Sequence, residues 1–349
     1  MTTFNAPVLR YEMDHEGDLS QLVYTFGGAE ARAAVFPGTV IDTSTLDCFA
    51  GAIHSVHDHV SEVCDPRYLN PQTGPFYVEG AMPGDVLAVH FARIEPRNTK
   101  GFSTTVPLFG ALTANGFTQM LHQPLPEMTW QYDIDKETRT VRYEARESSA
   151  RYDLPLDPMH GTVGVAPALN EARSALTPGD WGGNMDTPEM RSGVTCYLGV
   201  NVEGALFSFG DGHARQGEGE TCGVAVETAM DTVVVVELLK NVPPVLWPRL
   251  ESDTEIMTTG STKPLEDAFR ISHVQLVHWV SELTGLSTMD AYQFVSQAAQ
   301  SPIANVVDTN YTAVAKIKKS YLPGIAPMQG VHERLKAIGQ AYLTTTARG

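Results

Sequence analysis

Cysteine is scarce in this chain. The 349 residues hold four, Cys48, Cys64, Cys196 and Cys222, and no two of them form a CxxC pair. That spacing excludes a zinc knuckle and supplies no disulfide framework for a chain of this length, so the thiols read as reduced. Positive charge is scarce too: Lys and Arg total 24 against 41 Asp and Glu, a net charge of -17, with no long basic run. Nucleic acids and anionic membrane surfaces are held mainly through Lys and Arg clusters, so both are excluded as partners. Long apolar runs are missing as well. The longest, TVVVVELL (232–239), is far short of the roughly 20 residues that span a bilayer. The opening stretch MTTFNAPVLRYEMDHEGD has early acids and no apolar core, which predicts an unexported, cytoplasmic, soluble protein.

What is present is enough apolar sequence, 42% of the residues, to bury a large core. From Phe4 to about Val242 short segments rich in Val, Thr, Phe and Tyr are broken by Gly, Pro and Asn, which is the grammar of strands and turns. GPFYVEGAMPGDVLAVHFARIEP (74–96) reads as two strands about a Pro-Gly-Asp turn, and DTVVVVELL (231–239) as another. After STKP the pattern changes. LEDAFRISHVQLVHWVSEL repeats apolar residues at helical spacing, STMDAYQFVSQAAQ opens a second helix with Ser287 as N-cap, and IANVVDTNYTAVAKIKKSYL reads as two strands around an Asp-Thr-Asn turn. The expectation is a mainly β, sandwich-like core over residues 1–245, completed by a C-terminal α+β subdomain over 246–349. VEGAMPGD (78–85) and VEGALFSFGD (202–211) echo one another at strand-turn-strand positions, as a duplicated β unit would.

Chemistry concentrates in ALFSFGDGHARQGEGE (205–220), an apolar strand that runs into Asp211, His213, Glu218 and Glu220 among glycines. Carboxylate oxygen and imidazole nitrogen are what zinc or a similar divalent ion accepts, and a catalytic site needs only three such ligands. A solvated acidic loop is the alternative. DWGGNMD (180–186) offers the Asn184 amide and the Asp186 carboxylate, or is simply a turn. GTVGVAP (161–167) has glycines at Gly161 and Gly164 whose backbone N–H groups could face an oxyanion. Asp47, inside STLDCFAGAI, reads either as a further ligand or as a strand-end acid bonded to nearby backbone.

HSVHDH sets His54, His57 and His59 close together, and on a strand His57 and His59 would share a face; an exposed polar loop accounts for them equally well. No cysteine has a local helper for nucleophilic work. Cys222 follows carboxylates that disfavour a thiolate, Cys48 and Cys196 lie in strand-like runs, and Cys64 has no evident partner.

Taken in order, NPQTGPFYVEGAMPGDVLAVHFARIEP, GTVGVAP, GGNMD, GALFSFGDGHARQGEGETCGVAVE and the later MDAYQFVSQAAQSPIANVVD resemble the successive motifs of the acetamidase/formamidase family. The resemblance implies hydrolysis of a short aliphatic amide on a β-rich fold with an α+β C-terminal part, commonly as a homo-oligomer (dimer or higher), with bound divalent metal. HSVHDH and His160, the latter in an otherwise apolar position, depart from the pattern. On this reading Asp211 and His213 hold the ion with Asp47 and Asp186 as further ligands. Glu220 is the general base, and the Gly161–Gly164 amides or Asn184 stabilise the oxyanion. The ion is zinc, with calcium as the alternative. The rival readings are a calcium-stabilised β module that binds a small ligand without turnover, and a hydrolase of a related C–N substrate such as a cyclic amide.

Overall fold

The run TVVVVELL is continuous in apolar residues because it is buried on both faces. A computed structural model describes residues 4–13, 17–113 and 123–346. In it the Met230–Leu239 strand lies inside a nine-stranded sheet. Val234 and Val236 face one core with Phe91, Phe207 and Phe209, while Val233 and Val235 face a second core with Leu276, Trp279 and Val280. Alternate side chains of a strand point to opposite faces, so a strand covered on both sides has no polar half. The neighbouring Val86–Pro96 strand divides in the same way, Val86 and Ala88 to the second core, Leu87, Val89 and Phe91 to the first.

The first core is the filling of a sandwich. On its far side is a five-stranded sheet ordered Gly182–Asn184, Met159–Gly164, Phe207–His213, Gln72–Val78 and Ala33–Val35. A four-stranded sheet of Lys100–Thr105, Met128–Asp135, Thr140–Glu144 and Arg151–Pro155 lies beside it. The second core lies under the helices Leu265–Thr284, Thr288–Ala298 and Val331–Thr346. Both helices expected from periodicity form. Ser287 caps the second by accepting from the Asp290 N–H at 3.1 Å, and Gly285 ends the first in the left-handed region, φ 72°. Leu276 and Val280 are fully buried, each stabilising the fold by roughly 1.5–3 kcal/mol. The last helix, Val331–Thr346, and the strand Glu255–Thr262 were not foreseen. The nine-stranded sheet runs without a break from Val8–Tyr11 to strands beyond residue 245. No helix among the described residues is long and apolar enough to cross a membrane.

The two VEGA segments lie side by side. Val78 N–H donates to Gly204 O at 2.9 Å, Gly204 N–H to Ala81 O at 2.9 Å and Val200 N–H to Asp85 O at 2.9 Å. The first carries the chain from the five-stranded to the nine-stranded sheet, and the second carries it back into the Phe207–His213 strand.

His160, in its apolar setting, is fully buried between Phe91 and Phe209. Nδ1–H donates to Gly210 O at 2.9 Å and Nε2 accepts from the Thr232 hydroxyl at 2.8 Å, which satisfies the neutral ring. Burial lowers its pKa from 6.5 to about 4, against the Gly210 hydrogen bond and Asp211. The folded-state value lies below the unfolded one, so the unfolded chain binds the proton first and this residue withdraws stability as pH falls from 6.5 toward 4. The expected loss is ~3 kcal/mol. Urea unfolding of the wild type and His160→Gln between pH ~7 and ~4 measures it; equal pH slopes in the two proteins would refute the assignment.

Candidate active site

A change of backbone hand brings the acids out of the strand. Phe207 and Phe209 face the core, and strict alternation would send residues 211 and 213 there too. Asp211 instead takes φ 58°, the left-handed region that Asp tolerates better than most residues. The alternation slips by one. Gly212 then faces Met230 in the core, and Asp211 and His213 turn to the opposite side, beside Gly161.

There they meet Asp186, Glu220, Glu227 and Asp308, all buried. Ligand atoms of Asp186, His213 and Glu220 lie within 4.8 Å of one another, and so do those of Cys48, Asp211 and Glu227. His213 Nε2 is 3.4 Å from Asp211 Oδ1 and 3.2 Å from Glu227 Oε1. Its other nitrogen is fixed by Gln216. The Gln216 amide donates to Asp186 O (2.6 Å) and Ala304 O (3.0 Å), so Oε1 faces Nδ1 at 2.9 Å and accepts its hydrogen. That bond orients the ring and leaves Nε2 toward the carboxylates, the arrangement typical of a metal-ligating histidine.

The electrostatics are those of crowded, desolvated acids. Burial raises the pKa of Asp186 and Glu220 well above the usual carboxylate range; Glu220 and Asp308 reinforce it at Asp186, while at Glu220 the opposing pull of His213 is overcome. Burial likewise pushes Glu227 up to about 7 despite His213, and Asp308 up to about 7 despite its hydrogen bonds. Asp211 goes the other way: burial opposes its charge, but His213 and the hydrogen bonds around it hold its pKa below the ordinary value. His213 resists burial through Glu227 and Asp211 and is held well above its ordinary value. Asp186 Oδ1 and Glu227 Oε2 are buried with no hydrogen-bond partner. Orphaned carboxylate oxygens beside an oriented imidazole fit a divalent cation, since a buried charge costs heavily unless paired.

Beside the acids is a cavity of about 340 Å³ lined by Asn70, Asn184, Asp211, His213, Glu220, Glu227 and Asp308 together with Cys48, Phe49, Val60, Leu69, Val106, Phe109, Leu176, Gly223 and Val224.

The structure thus gathers Asp186, Asp211, His213 and Glu220, and it leaves others out. The Asp47 Oδ1 accepts from the Phe49 and Gly51 N–H groups at 3.0 and 2.9 Å, which ties that oxygen to the local turn, and among the described residues Asp47 is not in the ligand groups that come within 4.8 Å of one another. Asn184 lines the cavity as part of the hydrogen-bonded cluster: Nδ2 donates to Asp308 at 2.9 Å, and Oδ1 accepts from Asn70 at 2.9 Å and from Thr162. Gly164 is paired with Gly182 on one side and Ser208 on the other, inside the sheet. Gly161 contributes through its missing side chain, since a Cβ there would collide with Asp186, Asp211 and His213. Glu218 is exposed. HSVHDH is no strand but a turn, in which Asp58 accepts from the His54 and Ser55 N–H groups at 2.8 Å each, with His54 and His57 exposed.

Cys48 also corrects its sequence reading. It sits in the turn after the Val40–Thr45 strand and lines the cavity; burial first, then Glu227 and Asp211, hold its thiol pKa far above the usual value. Cys196 is a core residue as expected, and Cys222 is exposed.

Residues that sequence reasoning passed over are Glu227, Asp308, Gln216 and Asn70. Glu227 closes GETCGVAVE and Asp308 stands in the Asp-Thr-Asn turn. Both lay in motifs already singled out, but a lone acid after an apolar run, or in a turn, carries no local mark of its partners.

The acetamidase/formamidase family profile matches residues 29–170 and 145–319. An acetamidase from Yersinia enterocolitica has a solved structure that superposes with a TM-score of 0.84 at 36% identity, over 91% of this chain and 94% of that one. The acetamidase of Mycolicibacterium smegmatis is 26% identical over 262 residues, 60% of this chain and 64% of that protein. A Schizosaccharomyces pombe relative is 25% identical over 252 residues, 58% of this chain and 60% of that protein. The matches to these two curated relatives therefore span less than two thirds of their lengths. With its motifs in family order, a matching profile over most of its length and a fold shared over 91% of the chain with a solved acetamidase, this chain belongs to the acetamidase/formamidase family.

Proposed function

We propose that this protein hydrolyses a linear carboxamide to carboxylate and ammonia, with a divalent cation held by Asp186, Asp211, His213 and Glu227. The observation that carries the reading is the buried acid cluster around one oriented imidazole, opening on a cavity in a chain of this family. The nitrogen of His213 in the donor set favours zinc over calcium, which takes six to eight oxygens. Such a cation, when bound, lowers the pKa of a coordinated water toward ~7 and polarises a carbonyl oxygen. Glu220 then serves as the proton carrier. Its carboxylate lies within 4.8 Å of the ligand atoms of Asp186 and His213, in reach of a water held there, where it can take a proton from the attacking water and return it to the nitrogen as the C–N bond breaks. Gln216 keeps the His213 ring in place. The relatives named as acetamidases point to short aliphatic amides as the first substrates to assay.

Metal analysis of the purified protein, with ammonia release from formamide, acetamide and propionamide before and after chelation, tests the proposal. Chelation should abolish release, and readdition of the metal should restore it. His213→Ala should lose both metal and turnover while keeping its fold; full metal content and wild-type rate in that variant would displace the centre. Neither Cys196 nor Cys222 is the nucleophile on this account. Cys196→Ala and Cys222→Ala should each stay within about tenfold of wild-type turnover, ~1.4 kcal/mol in barrier. A thioester trapped on either would end the hydrolytic-water mechanism.

A further inference from the structure

We infer that the preferred substrate is a primary carboxamide whose acyl group is a branched or aromatic hydrocarbon, larger than acetyl. The inference rests on the amide-hydrolase reading and names the substrate class for that same site. The lining of the cavity is divided by chemistry. Its acids, imidazole and amides belong to the mutually bonded cluster, whereas Phe49, Leu69, Val106, Phe109, Leu176 and Val224 present only hydrocarbon. These six come from separated stretches of the chain and converge on one volume. Leu176 keeps 37% of its surface exposed, apolar area that a bound hydrocarbon would cover.

Size and charge agree. A four-heavy-atom amide such as acetamide fills the room of about three or four waters, ~100 Å³ at ~30 Å³ each. The cavity holds about 340 Å³. Among the described residues no Lys or Arg lines it, so nothing there would pair with an acyl group carrying a carboxylate. Away from the cluster the described lining residues offer no strong donor or acceptor to recognise a hydroxyl or a second amide. Discrimination among acyl groups then comes from buried apolar area, which corresponds to about fourfold in kcat/KM per methylene.

Ammonia release from formamide, acetamide, propionamide, butyramide, isovaleramide and benzamide tests this. The expected result is kcat/KM rising about fourfold per added carbon, so that isovaleramide exceeds acetamide by several tens of fold. In Phe109→Ala and Leu176→Ala the isovaleramide-to-acetamide ratio should fall fivefold or more in at least one. A series that peaks at formamide or acetamide, or ratios unchanged in both variants, overturns the substrate class and leaves the amidase reading standing. Release from none of these amides overturns the amidase reading itself, and the substrate class with it.

Discussion

Glu220→Gln is expected to bind metal and substrate nearly as the wild type does while losing 10²- to 10⁴-fold in kcat, the share that general acid-base catalysis supplies. Glutamine keeps the size and hydrogen bonding of the side chain but cannot carry a proton. The position is rigid enough for a clean comparison. Glu220 takes φ 46° in a loop whose Gly219 N–H donates to Ile303 O at 2.7 Å and whose Gly219 O accepts from Val306 N–H at 3.1 Å. Single-turnover kinetics and metal content, measured on the same preparation, separate the outcomes. Lost metal would make Glu220 a ligand, consistent with its reach to Asp186 and His213. Normal turnover would take Glu220 out of the proton path and point to Asp308, the other buried acid that lines the cavity outside the ligand set, and not to the exposed Glu218.

Gly161→Ala should be nearly as damaging, for a steric reason. A Cβ there would stand closer than 3.0 Å to Asp186 Oδ1, Asp211 Oδ2 and His213 Cε1. The glycine is not in the left-handed region, so the backbone itself tolerates alanine and the collision falls on the cluster. Displacing reacting groups by about 1 Å costs on the order of 10²-fold, and kcat/KM should drop by at least that much. Thermal unfolding should show a folded protein. Gly217→Ala, which meets nothing within 4 Å and is also outside the left-handed region, is the matched control. Wild-type kinetics in Gly161→Ala would mean that the cluster's spacing is not what the reaction depends on.

Much of the architecture was written locally. The valines of TVVVVELL marked a strand, the spacing in LEDAFRISHVQLVHWVSEL marked an amphipathic helix, and Ser287 marked a helix start; each signal depends only on residues within a few turns of one another. The same locality made Asp211 and His213 legible, as neighbours at a strand end, and with Asp186 and Glu220 they were marked by composition and by family motif. What the tertiary structure decided is which polar groups share a volume. Asp186, Glu227 and Asp308 reach the cluster through sheet pairings that join residues distant in the chain, such as Met159 with His213 in one sheet and Tyr311–Lys318 beside Glu255–Thr262 in the other. Strand order is a property of the whole chain, so no window could assign them. The same pairings gave the Asn184 amide to Asp308 and closed Gly164 inside the sheet, while a local turn claimed Asp47. A side chain's residue type states what it can bind, and its neighbours in the fold determine which of those bonds are already made.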